Sequence, residues 1–196
     1  MDQLVVAKFG GTSMADATAM LRSAKVSRDH KAKVIVVSAT SGTTNQLLDL
    51  AAMAVKGSWE ECEKIIIAIE TKHHLIATEL KLKPEQLKIV DQLLNEMSTL
   101  ARGINLLREC SARAKDQIQS IGERLSSVLF TTAVQTVFED EQKAAWLDVR
   151  SLLVTDSQHG KAVPNIIKIA NKCKKLLPNL RSEDKVYITQ GFIGKD

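Results

Sequence analysis

Aromatic residues are scarce in this 196-residue sequence, at 4% of the total. Proteins that hold single-stranded nucleic acid stack its bases on aromatic side chains, so the scarcity argues against such a surface. Cysteine is rare too. Cys62, Cys110 and Cys173 lie far apart, are odd in number and form no CxxC or Cys/His ligand spacing. Neither a disulfide framework nor a zinc site is supported, and reduced thiols in a cytoplasmic protein are expected. No apolar run approaches the length needed to span a bilayer. The opening Met1-Asp2-Gln3 leads directly into a short apolar run, without the basic and long apolar regions of a secretory leader. No sign of charge dominates, with 27 Lys and Arg against 23 Asp and Glu and a net charge of +4. The densest basic group, Lys172, Lys174, Lys175 and Arg181, reads as a solvated helix face rather than a polyanion site. These absences point to a soluble protein with neither a membrane nor a nucleic acid as partner.

The remaining composition is that of an ordinary globular domain, 44% hydrophobic and 26% charged, long enough for one core. Three short apolar runs, Leu4 to Phe9, Val34 to Ser38 and Val186 to Thr189, are rich in β-branched residues and do not alternate. They read as strands of a parallel sheet covered on both faces. Ala145 to Val149 is a fourth candidate. Helical patterns fall between them at Ala15 to Arg28, Asn45 to Val55, Glu123 to Phe138 and Asn165 to Leu177, so strands and helices alternate as in an α/β layered fold. The stretch 58–115 differs. It has almost no strand signal and few breakers beyond Pro84 and Gly103, and it predicts an excursion of about three helices packed on one edge of the sheet. Within it Leu87, Val90, Leu93, Leu94 and Met97 make a helix-packing stripe.

Four segments could carry chemistry. Lys8-Phe9-Gly10-Gly11-Thr12-Ser13 ends a strand in two glycines and two hydroxyl residues before a helix. Glycines admit a ligand close to the backbone, a helix start favours an anion, and a lysine before the turn can meet transferring phosphoryl oxygens. The order is not that of a Walker A loop, whose lysine follows its glycines. Ser38 to Asn45 repeats the design, with five hydroxyl residues and one glycine among eight. Two such loops at the carboxyl ends of parallel strands would lie side by side, where open α/β sheets bind ligands. Ser120-Ile121-Gly122-Glu123 places a carboxylate at what reads as a helix start, where it serves the helix dipole or accepts hydrogen bonds from a substrate ammonium. Thr189 to Gly194 is another strand ending in a polar, glycine-containing turn. The four histidines make no ligand or catalytic pair: His73 and His74 are adjacent and cannot share a helix face, and His30 and His159 fall in expected loops.

Taken together and in order, KFGGTS, VSATSGTTNQLL, SIGERLSS and VYITQGFIG resemble the aspartate kinases, and the resemblance runs the length of the sequence. Within the amino acid kinase superfamily the KFGGTS opening is specific, because members acting on glutamate, acetylglutamate, carbamate or UMP have differently built first loops. Leu147-Asp148-Val149-Arg150 looks like the family's central strand. The resemblance implies a three-layer α/β/α domain with a mostly parallel sheet of the carbamate kinase-like type and an all-helical insertion at 58–115. It also implies ATP-dependent phosphorylation of the β-carboxylate of L-aspartate, the first step towards lysine, threonine and methionine. By position, Lys8 would stabilise the transferring phosphoryl group. Gly10, Gly11, Thr12 and Ser13 would hold the ATP phosphates. Ser38 and Thr44 would bind aspartate, and Glu123 would contact its amino group. Magnesium would be bound through the nucleotide rather than by protein ligands, and a homo-oligomer is expected.

In the family, TQGFIG is followed by a Thr- and Gly-rich loop with an arginine that grips the substrate carboxylate. Further strands of the nucleotide pocket and regulatory ACT domains come after it. The 196 residues contain none of these, so by themselves they are expected to be inactive in phosphoryl transfer. Two other readings stay open: a module that only binds a partner, and an amino acid kinase acting on a different small acid.

Overall fold

A computed structural model describes residues 4–139, 143–180 and 183–196. Met1, Asp2, Gln3 and Arg181, named above, lie outside the described residues. Four strands, β1 (Val6–Phe9), β2 (Val34–Val37), β3 (Ala144–Trp146) and β4 (Val186–Gln190), form a parallel sheet in the order β1-β2-β4-β3. The helices are α1 (Ala17–Asp29), α2 (Thr43–Lys56), α3 (Trp59–Glu79), α4 (Pro84–Leu107), α5 (Ala112–Phe138) and α6 (Ile166–Leu176).

Local chemistry sets several helix ends. The Asp16 carboxylate caps α1 by accepting from the Ala19 amide at 2.8 Å, Ser111 caps α5 through the Ala114 amide, and Asn165 caps α6 through the Lys168 amide. Pro84 opens α4, where its fixed φ and missing N–H cost nothing. Helix α2 ends at Gly57 in the left-handed conformation, φ +80°.

The register fixes two sheet faces. Ala7 and Phe9 of β1 align with Ile35 and Val37 of β2, and these align with Ile188 and Gln190 of β4. This face meets α5, with the Phe9 and Phe130 rings 6.0 Å apart. Helix α5 is the centre of the molecule. Every residue from Ile121 to Val134 is buried, because the sheet, α1, α2 and α4 enclose it. Two of its buried hydroxyl residues bond their own helix, Ser127 donating to the Arg124 carbonyl and Thr131 to the Ser127 carbonyl.

Progress from β1 through β2 to β3 runs one way across the sheet and the step from β3 to β4 runs back. Right-handed crossovers therefore carry α6 to the face opposite α1 and α5, which completes three layers. The third layer is thin. No residue of α6 is buried, Ile166 and Ile167 are 69% and 77% exposed, and Val6 and Lys8 on β1 are exposed. The expectation of a sheet covered on both faces is corrected here: within this chain the α1/α5 face alone is closed.

Other expectations also change. The helix expected from Glu123 begins at Ala112, which moves Glu123 from a helix start to a helix middle. Residues 58–115 are helical, but α3 and α4 pack on α2 and α5 rather than on a sheet edge. Of the α4 stripe, Val90, Leu93, Leu94 and Met97 are buried in the helix layer, whereas Leu87 is exposed. Strand β3 stops at Trp146 and is an edge strand, so Leu147 to Arg150 is not a central strand; Val149–Ser151 is a 3-10 turn. Lys172, Lys174 and Lys175 lie exposed on α6.

Candidate active site

Phe9, Val37 and Gln190 stand in one row of the sheet, so the chain leaves β1, β2 and β4 at the same level and the loops starting at Gly10, Ser38 and Gly191 emerge together. Gly11 packs on the loop after β2: a Cβ there would stand 3.3 Å from the Ala39 carbonyl oxygen and 3.6 Å from the Ser41 Cα. Gly10 has nothing within 4 Å of its missing Cβ and an ordinary φ of −86°, so neither packing nor backbone conformation demands a glycine there. The segment Gly11–Met14 is a 3-10 turn anchored by the fully buried Met14, with the Ser13 carbonyl accepting from Ser23 Oγ at 3.1 Å. Thr12 is exposed and Ser13 half-buried. The start of α1 is not open to an anion, since Asp16 caps it.

The largest cavity described, about 1100 Å3, opens beside these loops. Ser38, Thr44 and Glu123 line it together, from β2's loop, α2 and α5. Its other wall is the segment after β3, held by a bridge from Val154 to Lys195 and by the Gly160 amide donating to Asp116 of α5 at 2.8 Å. Lys8 does not line the cavity. It is exposed on β1, with Nζ 5.5 Å from the centre of the Phe192 ring, and Phe192 stands in the cavity wall.

Glu123 reaches the cavity because of its neighbour. A Cβ on Gly122 would lie 2.9 Å from Ala39 Cβ and 3.2 Å from Leu47 Cδ1, so the glycine lets α5 close on the β2–α2 loop. Glu123 is 7% exposed. Burial pushes its carboxyl above the ordinary range, and hydrogen bonds from its own amide and the Ala39 amide counter this only in part. Asp148, also in the wall, goes the other way. Burial alone would raise it, but hydrogen bonds from Arg150, one at 2.5 Å, outweigh burial and hold it below the usual carboxylate range.

Sequence reading missed the supports of this site. His73, given no role, is fully buried under the β2–α2 loop, and Lys72 beside it donates to the Ser41 carbonyl. No local signal marks either residue: both sit in an ordinary helix far along the chain from the loop.

The amino acid kinase family matches residues 3–196. The chain belongs to the amino acid kinase family. Among its relatives, the lysine-sensitive aspartokinase 3 of Escherichia coli (strain K12) is 35% identical over 203 residues, covering 100% of this chain and 42% of that protein. The aspartokinase of Chlamydia trachomatis is 30% identical over 190 residues, 97% of this chain and 40% of that one. The crystal structure of E. coli aspartokinase III in complex with aspartate and ADP (R-state) superposes with a TM-score of 0.84 at 31% identity, over 99% of this chain and 42% of that chain. The chain thus spans about two fifths of the length of the relatives it matches.

Proposed function

We propose that this chain carries the L-aspartate site and the phosphoryl-transfer loop of an aspartate kinase, which forms 4-phospho-L-aspartate from L-aspartate and ATP. The observation that carries the reading is the meeting of Ser38, Thr44 and a buried Glu123 in one cavity beside the glycine loop. A carboxylate held out of water by burial and met by backbone amides is completed by a cation, and the aspartate ammonium supplies one. Ser38 and Thr44 offer hydroxyl donors to the substrate's carboxylates. The β-carboxylate is already ionised and needs no general base. Its oxygen bonds to the γ-phosphorus of ATP, the bond from that phosphorus to the β–γ bridging oxygen breaks, and ADP leaves with the electron pair.

Lys8, Gly10, Gly11, Thr12 and Ser13 hold the phosphates in this reading. The open space over Gly10 and the free exposure of Lys8 support that placement. In this reading magnesium arrives with the nucleotide rather than on protein ligands. When bound, magnesium neutralises phosphate charge. We assign the chain to a cytoplasmic homo-oligomer, a setting in which the thiols of Cys62, Cys110 and Cys173 stay reduced.

Titration calorimetry with L-aspartate, succinate and L-glutamate tests the reading. Aspartate is expected to bind, and succinate, which lacks the ammonium, to bind at least about tenfold more weakly, the loss of one charge-assisted hydrogen bond. Failure of aspartate to bind, or equal binding of succinate, would overturn it.

A further inference from the structure

Beneath the β2–α2 loop lies a buried chain of hydrogen bonds that starts in α3. His73 Nδ1 is 2.7 Å from the Ile69 carbonyl oxygen, which can only accept, so Nδ1 carries the proton. In the neutral ring Nε2 is then an acceptor. Thr40 Oγ1 stands 3.2 Å from it and donates, which leaves Thr40 to accept from Thr43 Oγ1 at 2.5 Å. His73, Thr40 and Thr43 are all buried, at 0%, 1% and 0% exposure. The order of donors runs one way, and every link is needed to keep a buried polar group satisfied. The preceding residue of α3 grips the same loop: Lys72 Nζ donates to the Ser41 carbonyl, and burial lowers its affinity for a proton while Asp16 opposes that.

The loop so held has residues with direct parts in the proposed site. Ala39, whose amide donates to Glu123, immediately precedes Thr40, and Thr44 in the cavity wall immediately follows Thr43. Gly42 between them has φ +79° and nothing within 4 Å of its missing Cβ, so the loop's own packing does not fix it there. We infer that His73 is a positioning residue, which through Thr40 and Thr43 holds the loop from Ser38 to Thr44 in the shape that receives the substrate. The inference deepens the aspartate-site reading and rests on it for the identity of the ligand. It gives the helical stretch a second duty beyond burying apolar surface, because α3 reaches the site through this residue.

Two substitutions separate positioning from mere filling of the core. In His73→Gln the side-chain amide reaches the place of Nε2 and offers an oxygen to Thr40. In His73→Asn it reaches the place of Nδ1, keeps the bond to Ile69 and abandons Thr40. Thr40→Val breaks the same link from the other side with His73 intact. The first measurement, on the full chain without ligand, is amide hydrogen exchange of Ala39 to Thr44. We expect exchange about tenfold faster in His73→Asn and Thr40→Val, near-normal exchange in His73→Gln, and unchanged protection in β1, β2 and α5. The second is L-aspartate affinity, expected to fall about tenfold in the first two variants and to recover in the third. The double variant should be no worse than either single one. Equal effects of Asn and Gln, or loop exchange unaltered by His73→Asn, would overturn the inference. If the wild-type chain binds no aspartate, the substrate reading falls and the exchange comparison still decides the role of His73.

Discussion

Gly122 and Ala39 touch so closely that a side-chain carbon at position 122 would lie 2.9 Å from the Ala39 Cβ. The contact joins the middle of α5 to the loop after β2 and sets the distance over which the Ala39 amide reaches Glu123. Gly122→Ala should therefore push the loop outward. Overpacking of this kind costs about 1–3 kcal/mol. We expect a lower denaturation midpoint with an unchanged slope, together with weaker aspartate binding. A variant with normal midpoint and normal binding would show that the loop yields freely.

Glu123→Gln should trade stability against function. Burial raises the Glu123 carboxyl above its ordinary range, so the folded state favours the protonated form. The favourable contribution is present at acid pH and is lost as pH rises from the ordinary carboxylate range through the raised folded value. Removing the charge should then raise the ligand-free melting temperature at pH 7. At pH 4 the difference should shrink, and aspartate binding should be lost at either pH. A glutamine variant less stable at pH 7 would mean that the carboxylate already has a favourable partner in the free protein.

Lys8→Ala should leave folding untouched, because the side chain is exposed and its ring contact with Phe192 is at the surface. In a chain extended to the length of its aspartokinase relatives, aspartate-dependent ADP release should fall about 10²–10³-fold, the usual loss when one preorganised charge is removed from a transition state. Near-normal turnover would take Lys8 out of the mechanism.

The α6 side of the sheet should associate. Ile166 and Ile167 are 69% and 77% exposed, Val6 is 56% exposed, and β1 and β3 are the sheet's open edges. Sedimentation at micromolar concentration should show a dimer or larger species, and Ile167→Asp should shift it to monomer. A wild-type chain that sediments as a monomer would refute this.

What the linear sequence determined by itself was local. Short β-branched runs bounded by glycine and hydroxyl residues marked β1, β2 and β4, because strand ends and tight turns impose those residue types on a few neighbours. Asn165 and the run after it marked α6 in the same way. The glycine loop and the hydroxyl loop were legible as ligand-ready for that reason too. Tertiary structure alone decided the rest. Glu123 read as a helix start because Gly122 looked like a helix boundary; in the fold that glycine is a contact with Ala39, and the helix runs through it. His73 read as inert because its partners, Thr40 and Thr43, lie far along the chain, and no periodicity reports a hydrogen bond between distant residues. The open face of the sheet was hidden by Val6, Val34 and Val36, whose character suits burial on either side. Apolar pattern states what a residue tolerates, while the packing of α5 against one face decides which residues are covered.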